Sequence, residues 1–110
     1  MHQEPKTLDE AFSLVSQDLL AVFLKKHQDY GKGNILSIKE LGIAIRLAEK
    51  VERLKHLLLK AELGETEAQN ESIDDTWTDI AVYAIIAQLY RNGRFQTLEV
   101  KDKKVPEKLV

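Results

Sequence analysis

The sequence predicts an all-α fold. Apolar residues recur at three- and four-residue spacing in two long stretches, which is the period of an amphipathic helix. Both stretches open on a capping box, a Ser or Thr followed three residues later by Glu, and such boxes mark helix starts. A third stretch is apolar on nearly all sides, as is typical of a helix at the centre of a bundle. We therefore expect three long helices in a single domain, residues 1–110.

The first helix is predicted over residues 7–28. Thr7 and Glu10 form its capping box. The apolar stripe that follows comprises Leu8, Phe12, Val15, Leu19, Val22 and Phe23. Two glycines, Gly31 and Gly33, come soon after this stripe and predict a break before the next helix.

The second helix is predicted over residues 37–63, from the capping box Ser37–Glu40 to a stop at Gly64. Its main apolar face is predicted to comprise Leu41, Ala44, Ala48, Val51, Leu54 and Leu58. Gly42 weakens the first turns of this helix by up to about 1 kcal/mol. We therefore expect Gly42 to permit a close contact between helices.

The third helix is predicted over residues 70–92, with Asn70 as its N-cap and Asn92-Gly93 at its end. Three helices cannot by themselves cover a central helix that is apolar on nearly all sides. We therefore expect the chains to associate and complete a four-helix-type bundle, as a homodimer or a homotetramer. For the tail, residues 94–110, a short strand and an arm laid on a neighbouring chain both stay open.

Acidic residues on the third helix share a stripe with its apolar core candidates. Glu71, Asp75 and Asp79 are spaced at i, i+4 and i+8, so they lie on one face. The same stripe continues to Val82, Ile86 and Leu89. Because burying like charges together is costly unless cations neutralise them, the sequence predicts a counter-charge here. A metal ion is the leading candidate.

Charged residues on the second helix complement this stripe. Glu49 and Glu52, at i and i+3, occupy neighbouring positions, so two helices offer carboxylates that could converge. Mg²⁺ prefers oxygen ligands and also binds phosphates, and Arg46, Lys50 and Arg53 would suit a triphosphate. The alternative also stays open, because acids near a helix start and Glu–Arg pairs at i, i+4 are common on solvated helices.

The amino-acid composition argues against several classes of protein. Lys and Arg number 16 against 18 Asp and Glu, for a net charge of −2, which gives no electrostatic case for binding a nucleic acid polymer. There is no cysteine, in agreement with a reducing compartment. The longest apolar run, residues 80–87, is far short of the roughly 20 residues of a membrane span. We therefore expect a soluble cytoplasmic protein that is not in a membrane.

Several motifs together resemble a known group of nucleotide enzymes. Glu49-x-x-Glu52 and, after 18 residues, Glu71-x-x-Asp74 resemble the ExxE…ExxD signature of MazG-like all-α NTP pyrophosphohydrolases. The chain more closely resembles a short phage and bacterial nucleotide-modification-associated domain. That resemblance lies in Asp29-Tyr-Gly31, Arg46-x-x-Glu-Lys-x-x-Arg-Leu54, and Glu71-Ser-Ile-x-Asp-Thr-x-x-Asp79 followed by Ile-Ala-x-Tyr83.

The resemblance implies a MazG-like bundle, oligomerisation, Mg²⁺ (with Mn²⁺ as an alternative), and hydrolysis of an NTP or dNTP to the monophosphate and pyrophosphate. Aligning the second motif so that its Asp precedes the apolar run implies the metal ligands Glu49, Glu52, Asp75 and Asp79. The implied water-activating carboxylate is Glu52 or Glu71. The nucleotide is expected to contact Arg46, Lys50 and Arg53 through its phosphates and Asp29, Tyr30 and Asn34 through its base or ribose.

Two other functions stay open at this point. One is a nucleotide-binding module without catalysis that serves a larger enzyme set. The other is a helical oligomerisation protein whose acids are solvated or paired with arginine.

Overall fold

The computed structural model describes residues 4–64 and 67–101, with the backbone alone for 67–69, and every regular element in these ranges is a helix. The elements are α1 (Leu8–Tyr30), α2 (Gly33–Ala61), α3 (Glu67–Arg91) and the short α4 (Arg94–Thr97). The predicted all-α fold with three long helices is therefore confirmed. None of the described helices combines the length and the hydropathy that crossing a membrane requires.

Helix α1 belongs to one of two compact units, and the other unit runs from Lys32 to Glu99. The predicted capping box of α1 is confirmed, because the Thr7 hydroxyl accepts the Glu10 N–H at 3.2 Å. The helix ends at Tyr30 and is followed by Gly31 at a φ of 68°. No residue of α1 is buried, and Leu8 and Phe12 are 86% and 74% exposed. In its predicted apolar stripe, Val15 is also exposed, whereas Leu19, Val22 and Phe23 are half-buried.

Helix α2 begins at Gly33 rather than at residue 37, so the predicted capping box at Ser37 is wrong. The Ser37 hydroxyl instead donates to the Asn34 carbonyl at 2.9 Å. A break follows at Lys39, whose φ of 61° and ψ of −174° lie outside the helical region. This conformation is costly for any residue with a Cβ, so Lys39 divides α2 into a short first segment and a long second one.

Gly42 lies just after the break at Lys39, and the absence of a side chain at Gly42 leaves room for Ile38. A Cβ on Gly42 would collide with the Cβ of Ile38, and it would lie 3.0 Å from the Cγ1 of the same side chain. The three atoms nearest to such a Cβ all belong to Ile38, so the closest contact at this glycine is made within α2.

Helices α2 and α3 pack antiparallel within the second unit. Three polar contacts fix this direction, because they join Glu40 to Arg91, Arg46 to Tyr83 and Lys50 to Asp79. The buried apolar side chains of this unit are Ile35, Ile43, Leu54, Val82, Ile86 and Phe95. Of the core positions predicted on α3, Val82 and Ile86 are thus confirmed, whereas Leu89 is only half-buried.

The apolar face predicted for α2 is wrong in its orientation. Leu54 is buried, but Leu41, Val51 and Leu58 are 72%, 42% and 41% exposed. The buried and half-buried positions of the long segment are Glu40, Gly42, Ile43, Arg46, Leu47, Lys50, Leu54, Leu57 and Ala61. Because α2 is apolar on two sides, periodicity alone did not indicate which side packs against α3.

The end of α3 and the start of the tail return to the beginning of α2. Asn70 lies inside α3 and is not its N-cap as predicted, whereas the end at Arg91 agrees with the prediction. After α4, the Lys32 ammonium donates to the Leu98 carbonyl at 2.5 Å and lies 5.9 Å from the centre of the buried Phe95 ring. Residues 94–97 of the predicted tail are helical. The part of the tail from residue 102 onward lies outside the described residues.

We expect Gly42→Ala to lower the free energy of unfolding by about 1–3 kcal/mol, since the added methyl group overpacks against Ile38. This sign opposes the roughly 1 kcal/mol that Ala normally gains over Gly inside a helix. Gly33→Ala is the matched control, because a Cβ there meets nothing within 4 Å. Urea denaturation of both variants measures the difference, and a Gly42→Ala chain as stable as wild type would contradict the described break.

Candidate functional site

Polar side chains line the contact between α2 and α3 at one place, which we call the polar seam. It is formed by Asn34, Arg46, Lys50, Asp79 and Tyr83. Arg46 and Lys50 are one turn apart on α2, and Asp79 and Tyr83 are one turn apart on α3. Because the helices are antiparallel, these two pairs meet side chain to side chain. The seam therefore brings together three predicted phosphate- or nucleotide-binding residues and one predicted metal ligand.

Arg46 is held from two sides. One terminal nitrogen of its guanidinium donates to the Tyr83 hydroxyl and the other to the Asn34 side-chain oxygen, each at 3.4 Å. These are long hydrogen bonds, but together they define the plane of the group. Two of the five N–H donors of a guanidinium are used in them. The orientation leaves Arg46 suited to an anion at the seam.

The break at Lys39 is what brings Asn34 to Arg46. In a continuous helix the backbones of residues 34 and 46 would lie about 18 Å apart along the axis, which is beyond the combined reach of the two side chains. The change of direction at Lys39 turns the first segment of α2 so that the two side chains meet. A strained backbone position thus contributes directly to the seam.

Lys50 and Asp79 form an ion pair at the centre of the seam. Their charged atoms are 3.1 Å apart, and the two side chains are only 31% and 29% exposed. The sequence predicts a counter-charge for Asp79, and the structure provides it as the Lys50 ammonium. Reduced contact with water makes this attraction stronger than that of a fully solvated pair.

The other predicted carboxylates do not join Asp79. Glu49, Glu52, Asp75 and Glu71 are exposed, and the Glu52 carboxylate lies 3.3 Å from the Lys55 ammonium on its own helix. Within residues 4–64 and 70–101, no group of three or more His, Asp or Glu side chains is placed to hold a metal ion. In the described part of one chain, the four predicted ligands are thus not brought together as such a group.

The orientation of α3 accounts for this difference. Its face toward α2 contains Thr76, which is 4% exposed and donates to the Ser72 carbonyl at 2.6 Å. Ser72, Asp79 and Tyr83 are half-buried beside Thr76, whereas Glu71 and Asp75 on the predicted stripe are exposed. A small rotation of the helix separates this face from the predicted stripe, and the acid spacing alone did not fix that rotation.

The remaining predicted binding residues are not among the residues that form the seam. Arg53 is exposed on α2, while Asp29 and Tyr30 are on α1, in the other compact unit. Asp29 is 3.7 Å from Lys25 on the same helix. Asp29 and Tyr30 also help to line a shallow depression of about 390 Å³ on the surface of α1.

Sequence reasoning did not single out Tyr83, which contacts Arg46 in the polar seam. The signal was present in the spacing, because Asp79 and Tyr83 are an i, i+4 pair and so are Arg46 and Lys50. Two such pairs on antiparallel helices can face one another along one line.

Comparison of the chain with protein-family models, curated proteins and solved structures finds no match.

We expect a double-mutant cycle with Lys50→Gln and Asp79→Asn to give a coupling free energy of about 0.5–1 kcal/mol, because the pair is partly shielded from water. High salt should reduce this coupling. Glu52 and Lys55 form a control pair on one helix with side chains 69% and 64% exposed, and their coupling should be smaller. Equal couplings for the two pairs, measured by urea denaturation, would contradict the special position of Lys50 and Asp79.

Proposed function

We propose that this chain is a cytoplasmic nucleoside triphosphate pyrophosphohydrolase that binds the phosphates of a Mg²⁺-bound NTP or dNTP at the polar seam. The observation that carries the proposal is the placement of Arg46 and Lys50 one turn apart, with each side chain held by a partner from α3. Two cations placed one turn apart in this way are an arrangement that suits adjacent phosphate groups. The motif resemblance to MazG-like enzymes adds the reaction class.

The positions of the carboxylates bear on how Mg²⁺ would bind. Mg²⁺ commonly keeps several waters and binds through one or two carboxylates together with the phosphates of its nucleotide. Asp79 is the one predicted ligand that lies on the seam. We therefore propose that Mg²⁺ arrives as part of the nucleotide complex.

The roles of the protein residues follow from their chemistry. Arg46, with its guanidinium oriented by Tyr83 and Asn34, neutralises charge that develops on the phosphates during cleavage. Lys50 supplies a second positive charge one turn away. Glu52 or Glu71 remains the proposed carboxylate that deprotonates the attacking water.

A second function is favoured by the same geometry. The cations that would bind phosphates come together at the seam, whereas Glu49, Glu52 and Asp75 are exposed. Binding requires the cations, and hydrolysis also requires a placed carboxylate. A nucleotide-binding module without turnover is therefore the second candidate.

Association of chains is also proposed, because apolar surface is exposed on both helices of the second unit. On α2, Leu41, Ile45 and Leu59 are 72%, 53% and 63% exposed, and their spacing places them on one side. On α3, Trp77 and Ile85 are 54% and 44% exposed. We propose that a second copy of the chain covers these surfaces and completes the four-helix-type bundle as a homodimer or homotetramer.

We expect a panel of NTPs and dNTPs with Mg²⁺ to yield pyrophosphate rather than orthophosphate. Arg46→Gln should lower kcat/KM by roughly 10- to 100-fold, since a charge-neutralising donor at the phosphates is lost. Asp79→Asn should abolish turnover, as should EDTA. Arg91→Gln is the matched control, because Arg91 also pairs across the two helices but lies at the other end of their contact.

The outcomes of this panel separate the candidates. Nucleotide binding without product would favour the binding module, and a chain that neither binds nor cleaves any nucleotide would refute the proposal. Equal losses in Arg46→Gln and Arg91→Gln would indicate that the seam is not the site.

We expect Ile45→Glu to shift the chain from an oligomer toward the 12.6 kDa monomer, because a carboxylate in an apolar interface is costly to bury. Leu63→Glu is the control, since Leu63 is 89% exposed and follows the end of α2. Sedimentation equilibrium measures the mass, and a wild-type chain that is monomeric would rule out the association.

A further inference from the structure

In the polar seam, a predicted metal ligand and a predicted phosphate ligand are bound to each other. Asp79 and Lys50 are the two residues, 3.1 Å apart. We propose that this ion pair is a latch: Lys50 holds Asp79 in the nucleotide-free chain and changes its partner to a phosphate when a Mg²⁺-bound nucleotide enters. The latch makes nucleotide binding depend on the divalent cation, and the inference rests on the proposed function.

The first argument concerns charge balance. A nucleotide that enters without a cation can engage Lys50 only by taking it from Asp79. The carboxylate, 29% exposed, would then lie beside anionic phosphates without the Lys50 ammonium, which is unfavourable through like-charge repulsion. A nucleotide that carries Mg²⁺ avoids this cost, because the cation faces Asp79 while Lys50 faces a phosphate. Every charge then has an opposite charge beside it.

The second argument concerns the two cations of the seam, which differ in how firmly they are held. Arg46 is oriented by both Tyr83 and Asn34 and can keep these contacts while it binds an anion through other N–H groups. Lys50 has a flexible four-carbon stem and a compact ammonium group. It can therefore move between two acceptors on the same seam without a movement of either helix. Arg46 is the fixed contact and Lys50 the mobile one.

The third argument is a comparison with the other ion pair between α2 and α3. Glu40 and Arg91 are joined by two hydrogen bonds of 3.1 and 2.9 Å. Their side chains are 45% and 74% exposed, so solvent screens the pair and either member can lose its partner at little cost. The Lys50–Asp79 pair is less exposed at both members, which is the property that a latch requires.

The test is isothermal titration with a non-hydrolysable triphosphate analogue, with and without Mg²⁺. In the wild-type chain, Mg²⁺ should raise the affinity roughly tenfold or more, within the usual range of coupling between two ligands. Asp79→Asn should bind the Mg²⁺-free analogue several-fold more tightly than wild type does, because Lys50 is released and no carboxylate opposes the phosphates. The gain from Mg²⁺ should nearly vanish in this variant.

Two further variants complete the design. Lys50→Gln should weaken binding of the Mg²⁺-bound analogue, since the phosphate loses a cation. Glu40→Gln removes the carboxylate of the other helix-to-helix pair and should match wild type with and without Mg²⁺. Circular dichroism and the melting temperature establish that each variant is folded.

The results separate the latch from the proposed function. An Asp79→Asn chain that is folded and binds the Mg²⁺-free analogue no more tightly than wild type would overturn the latch. A wild-type chain that binds no analogue under either condition would overturn the proposed function as well.

A measurement on the wild-type chain keeps the latch testable if Asp79→Asn does not fold. NMR of lysine side chains, with Lys50 assigned by comparison with Lys50→Gln, should show the Lys50 signal moving when the Mg²⁺-bound analogue is added. A Lys50 signal that stays unchanged at saturation would overturn the exchange of partners.

Discussion

The contact between Asn34 and Arg46 in the polar seam depends on a break in α2 at Lys39, which is not a glycine. Lys39 adopts a φ of 61°, and Gly42 makes room for Ile38 next to it. The break turns the first segment so that Asn34 reaches Arg46, and buried Ile35 and Ile43 lie on either side of it. Without the strained backbone at Lys39, the Arg46 guanidinium would lose its contact with Asn34. The geometry of the proposed site therefore depends on this backbone conformation.

The features that the sequence predicted correctly are those with a local signature. The Thr7 cap, the end of α3 at Arg91 and the buried Val82 and Ile86 follow from capping chemistry and periodicity. The break at Lys39 has no such signature, because a lysine with positive φ is imposed by its surroundings. The sequence also did not indicate how α2 and α3 are rotated about their own axes, because each helix is apolar on more than one side. The rotation of α3 places Asp79 in the seam and leaves Asp75 exposed.

Helix α2 has two apolar sides, and this property connects the fold of one chain with the proposed association of chains. One side of α2 packs on α3 and includes Ile43 and Leu54, while the other exposes Leu41 and Leu59. The polar seam lies along the inner side, so association through the outer side would leave it open to a nucleotide. Within the seam, Lys50 neutralises Asp79, which explains how a carboxylate can be tolerated at a helix contact before any ligand binds.

The most direct test of the central claim is a crystal structure of the chain with Mg²⁺ and a non-hydrolysable nucleoside triphosphate. We expect the phosphates on the polar seam, with Lys50 moved from Asp79 to a phosphate oxygen and Arg46 still in contact with Tyr83. A nucleotide bound away from the seam, with the Lys50 and Asp79 charges still 3.1 Å apart, would contradict both the site and the exchange of partners.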